Sequence, residues 1–161
     1  MTAGISRRRV AVFTLGVYWT CILFGISIPW SANIVVDVFK RHQSLGEALH
    51  QLKLHLFAPG YNLFLIAVLN AVPFVVFSIF ALFHMGLCPS EDRKLVGRRG
   101  AALLFTALGL IGLSVWTHVT TLWFPDAQGA LVYLFLPFLL LVFIPVGYVV
   151  GRGAGIVLFR A

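Results

Sequence analysis

Four long apolar runs without a formal charge decide what this chain can fold into. They lie at about 10–36, 61–87, 100–124 and 130–150, and no Asp, Glu, Lys or Arg falls inside any of them. A helix needs about 20 predominantly apolar residues to cross roughly 30 Å of hydrocarbon. The sequence therefore predicts an all-α membrane protein: a four-transmembrane-helix bundle, 1–161, forming a single membrane domain. Only 11% of the residues are charged, against roughly 25% in a soluble domain. A polytopic chain this short is expected to leave almost nothing outside the bilayer, and so no soluble catalytic or nucleotide-binding domain. In the first run, Pro29, Trp30, Ser31 and Asn33 are expected to mark a kink or an exit into the interface. Pro73, Pro137 and Pro145 are expected to kink their helices. The first apolar core is about twice the length of a signal-peptide core and lacks a small-x-small cleavage site, so it is expected to be retained as a span.

Four crossings put both ends on one side, and basic residues flanking spans stay on the cytoplasmic side. Arg7, Arg8, Arg9, Arg93, Lys94, Arg98, Arg99, Arg152 and Arg160 lie at the two ends and in the middle loop, together with Glu91 and Asp92. The other two loops hold Lys40, Arg41 and Lys53 against Asp37, Glu47 and Asp126, and are neutral. The net charge of +7 thus sits on one face. This predicts a bacterial inner-membrane protein with cytoplasmic termini, and a pI near 10.1 that reports topology and anionic lipid rather than nucleic acid. Trp30, Trp123 and Tyr61 fall near the outer boundary and Tyr148 near the inner one, where amphipathic rings settle.

The first outer loop, 37–60, is long enough to fold. Ser44 with Glu47 three residues on reads as a capping box, and Leu45, Leu49, Leu52 and Leu56 follow at helical spacing. The expectation is an amphipathic interfacial helix over about 44–58, ended by Pro59-Gly60 and lying flat on the leaflet or folded over the bundle. The segment 88–99 is expected to be a cytoplasmic connector, and 125–129 a tight turn joining the last two spans as a hairpin.

Gly147, Gly151 and Gly155, four apart, form a small-xxx-small strip for close helix packing, inside the monomer or between copies; Gly109 and Gly112 offer a second contact. Asn70 is the most polar side chain within a span. It is expected to hydrogen-bond across helices with Ser78, Thr106 or Thr117, or else to contact a substrate. His50 and His55 are five apart and point away from one another on a helix. His84 and His118 lie at opposite depths and cannot share one haem iron. A His118 site completed by His42, His50 or His55 is the one metal arrangement left to consider. Cys21 and Cys88 are expected to be unpaired, with no Cys-x-x-Cys. No nucleophile elbow, phosphate-binding glycine loop or pair of intramembrane aspartates is present, so a non-enzymatic chain with no cofactor is expected.

Three functions follow. The first is an accessory subunit or interaction protein that packs against the lipid bilayer and another membrane protein or a homo-oligomer, without nucleic acid. In length, four spans, cytoplasmic ends and a long first outer loop, the chain resembles the colicin-A-type immunity proteins; the likeness is one of topology and implies recognition of a pore-forming toxin, with no functional residues to carry over. The second is an oligomeric transporter or channel component, and the third a histidine-dependent metal or haem protein.

Overall fold

A computed structural model describes residues 7–86, 93–125 and 129–158. Five helices make up the described residues: α1 (Arg7–Phe39), α2 (Leu45–His55), α3 (Leu63–Gly86), α4 (Arg93–Trp123) and α5 (Gly129–Leu158), with no strand among them. Four of them contain stretches long and apolar enough to cross a membrane: Tyr18–Phe39, Leu63–Met85, Leu95–Trp123 and Leu131–Val157.

The long helices outrun the apolar runs that announce them. Apolarity marks a crossing, whereas a helix continues until something breaks it. Arg93-Lys94-Leu95 through Arg98-Arg99 contains good helix formers, so α4 starts in the segment expected to be a connector. Pro29 likewise ends nothing: α1 runs through it to Phe39, and Asp37 belongs to the helix rather than to a loop. Chain reversal comes only at His42, whose φ of 55° is left-handed, with the Gln43 N–H turned back to the Asp37 carbonyl at 3.1 Å. Pro73 and both Pro137 and Pro145 also lie inside continuous helices. Cys88, Glu91, Asp92, Asp126 and Arg160, and the side chains of Arg7, Arg8, Arg9, Arg93 and Lys94, lie outside what is described.

Around the bundle the order is α1, α3, α5, α4, with α3 and α4 meeting across the shorter diagonal. Gly151 packs on Ala102 and Gly155 on Arg98; the falling register makes α4 and α5 antiparallel. Gly25 against Ala71, Trp30 Nε1 donating to the Leu63 carbonyl at 3.4 Å and Asn33 beside Tyr61 make α1 and α3 antiparallel too. Lys40 Nζ reaches the Trp123 carbonyl, so α1 and α4 end together. Arg98, Arg99, Arg152 and the start of α1 thus share one end of the bundle, opposite α2. The core runs between these ends through Ile28, Phe74, Phe77, Leu110, Leu136, Leu140 and Ile144.

The α2 helix begins at the capping box: the Glu47 N–H donates to Ser44 Oγ at 3.3 Å, and the Ser44 N–H and hydroxyl each donate to Glu47 Oε2 at 2.8 Å. Those last two bonds, the backbone one first, hold the Glu47 carboxyl below its ordinary range. A lowered acid contributes stability above its unfolded pKa and loses it as pH falls through the folded value. The protection of amides at the start of α2, measured as exchange relative to the intrinsic rate at each pH, is therefore expected to fall as pH drops through the acidic range, and Ser44→Ala to flatten that response. An exchange profile identical in the two proteins would remove the box as its cause.

The buried face of α2 is not the leucine row. Ala48 is fully buried, Leu52 and Leu56 are half-buried, and Leu45 and Leu49 are exposed. The small methyl at 48 permits the closest approach to the bundle, which turns Gln51 and His55 inward with Leu52.

Candidate functional site

Asn70, Ser114, His118 and Asp37 are buried polar side chains in the part of the bundle toward α2, in a series that begins at a proline. Pro29 has no N–H, so the Gly25 carbonyl four residues earlier has no partner within its own helix. Asn70 of α3 supplies one: its Nδ2 donates to the Gly25 carbonyl at 2.7 Å. The close approach that allows this exists because residue 25 has no side chain, since a Cβ there would stand 2.8 Å from Ala71 Cα. Ser114 of α4 completes the joint, its hydroxyl donating to Asn70 Oδ1 at 2.9 Å. One amide thus ties three helices together, and Asn70 is only 1% exposed. The partners expected from sequence are elsewhere: Ser78 and Thr106 donate to carbonyls of their own helices, Phe74 and Ala102.

One turn along α4, His118 Nδ1 donates to the Ser114 carbonyl at 2.8 Å. A carbonyl only accepts, so this nitrogen carries hydrogen. The other nitrogen, Nε2, is buried without a protein partner, as is the Tyr133 hydroxyl of α5. Their rings are 5.3 Å apart. Tyr133 also lies 6.2 Å from the Tyr61 ring, and the Tyr61 hydroxyl meets the Asn33 side-chain amide at 3.3 Å. Asn70, Ser114, His118, Tyr133, Tyr61 and Asn33 are therefore consecutive neighbours.

This series opens into a cavity of about 150 Å³ between the end of α1, α2, the start of α3 and Leu122 of α4. Asn33, Asp37 and Arg41 line it from α1 and the turn that follows, Gln51 and His55 from α2, and Tyr61 from the α2–α3 link. Asp37 and Arg41 form an ion pair at 2.8 Å.

Among the described residues, no three His, Cys, Asp or Glu side chains come together in a metal-holding group. His118 stands beside Tyr133, while His42 and His50 point away from it toward the surface and His55 caps the cavity with its Nδ1 at 2.9 Å from the Gln51 carbonyl. His84 belongs to an aromatic cluster with Phe80 and Tyr148. Cys21 packs, half-buried, against the core. Of the glycine strip, Gly151 and Gly155 are occupied by α4, and a Cβ at Gly147 or Gly109 would strike the Phe143 ring. Gly151 and Gly155 thus serve α4–α5 contact within the chain.

A second concave surface lies along α5. Thr117, Leu131, Val132, Phe135, Leu136, Phe138, Leu139 and Val142 line an open, almost wholly apolar groove of about 600 Å³ along α5. Sequence reading missed both the cavity and the groove. Asp37 resembled a loop residue, and α5 is apolar on every side, so no periodicity singled out the groove.

Compared with known protein families, characterised proteins and solved structures, the chain matches none.

Proposed function

We propose that the chain is a multi-pass protein of a bacterial inner membrane, with both termini cytoplasmic and no catalytic role, acting through helix packing as an accessory subunit or immunity-type interaction protein. The groove along α5 carries this reading. Its exposed residues Leu131, Phe135, Phe138, Leu139 and Val142 recur at the i, i+4, i+7, i+8, i+11 positions of a helix-packing stripe, over about 17 Å of helix at 1.5 Å per residue. The occupant that fits is a transmembrane helix of a partner protein, its side chains seated between Phe135 and Phe138. The arginine-rich end supports the orientation, because basic flanks are retained in the cytoplasm. The exposed Leu45, Leu49 and Phe57 support a placement of α2 against the opposite leaflet.

Site-specific photocrosslinking in native membranes tests this. Probes at Phe135, Phe138 and Leu139 should give a discrete protein adduct, absent from probes at Leu104 and Leu108 on the exposed face of α4, and abolished when Phe135 and Phe138 are both replaced by Ala. Equal labelling of the two faces would refute the docking face. An adduct at twice the chain's own mass would make the partner a second copy and favour the oligomeric channel reading.

A further inference from the structure

The Asp37–Arg41 pair buries one of its two charges far more deeply than the other. The Asp37 side chain is 6% exposed and that of Arg41 52%. Burying a carboxylate is costly unless excellent geometry and further hydrogen bonds offset it, and the partner here is a half-exposed arginine. Asp37 receives one side-chain hydrogen bond, from Arg41 Nη1, and the pair faces the cavity instead of filling it.

We infer that this cavity binds a small zwitterion of the α-amino-acid class, its ammonium group on Asp37 and its carboxylate on Arg41. Such a ligand carries the same two charges as the pair it enters. The 2.8 Å bridge opens, each protein charge regains an opposite partner, and the net charge buried is unchanged. An ammonium group has three donors: Asp37 takes one, and the Tyr61 hydroxyl and the side-chain oxygens of Asn33 and Gln51 are the acceptors lining the cavity for the rest. The guanidinium of Arg41 is planar and presents paired donors to a carboxylate, and its exposure leaves it free to swing aside for entry. Leu52, Leu63 and Leu122 supply the apolar wall for a short side chain. Size sets the limit: a cavity of about 150 Å³ takes a molecule of about six non-hydrogen atoms. Glycine and alanine fit, and aromatic amino acids do not.

The test uses the full chain in lipid nanodiscs, with isothermal titration and thermal unfolding as readouts. Alanine and glycine are expected to bind saturably and to raise Tm. Ethylammonium and propionate, each carrying one of the two charges, should bind at least about tenfold more weakly, as should phenylalanine. Asp37→Asn and Arg41→Gln should each cost a similar factor, since each removes one partner of a charged contact. Leu122→Trp, which fills the cavity and touches neither charge, should abolish binding while leaving the helical spectrum intact. That variant keeps the test decisive if Asp37→Asn misfolds. The inference is overturned if alanine gives no saturable signal, if ethylammonium, propionate or phenylalanine matches it, if a folded Asp37→Asn or Arg41→Gln protein binds as well as the original, or if the Leu122→Trp protein does.

Discussion

Asn70→Leu is expected to destabilise the chain by about 1–3 kcal/mol, the range for leaving a buried polar group without a partner. Its effect should run through the backbone of another helix. The Gly25 carbonyl depends on Asn70 because Pro29 removed the N–H that would otherwise serve it. Ser114 loses its acceptor as well, but it can turn to a carbonyl of its own helix, as Ser78 and Thr106 do. Restoring the missing donor with Pro29→Ala should therefore recover most of the loss in the Asn70→Leu background while changing the original protein little. Chemical unfolding of the four proteins gives the coupling energy directly. Additive effects of the two substitutions would mean that Asn70 does not compensate for the proline.

Gly25→Ala and Gly151→Ala should each cost about 1–3 kcal/mol, the usual penalty for overpacking a closed contact. The added methyl would lie 2.8 Å from the Cα of Ala71 in one case and of Ala102 in the other, and backbone cannot turn aside as a side-chain tip can. The two helices must separate. Gly112→Ala is the control: no atom of another helix lies within 4 Å of the point its methyl would occupy, so alanine should gain about 1 kcal/mol through helix propensity. Thermal unfolding that ranks all three alike would show that the helices are not held by these contacts.

What could be read from the sequence was whatever depends on near neighbours or on bulk hydrophobicity. The four long apolar helices follow from run length, and the capping box from two residues three apart. That Asn70 should bond across helices was readable, because an amide in an apolar run has few other options. Its partners were not. Choosing Ser114 over Thr117 requires the rotational phase of α4, and a helix apolar on nearly every side has no hydrophobic stripe from which to read a phase. The clue to Gly25 was present in the spacing to Pro29, four residues on, which leaves one carbonyl without its donor. Asp37 was misread for a related reason: charge is a guide to the edge of the hydrocarbon and says little about where a helix stops.

The proline at position 29 also bears on how the protein is made. On the proposed reading as a multi-pass membrane protein, α1 entering a bilayer alone carries a defect that Asn70 repairs, because an unsatisfied carbonyl in hydrocarbon costs several kcal/mol and Asn70 is not yet there. The first crossing is expected to remain at a sheltered, hydrated site until the next one emerges, and the two to pass into lipid as a pair. The same bond that fastens the finished bundle would then set the order in which its parts leave the insertion machinery.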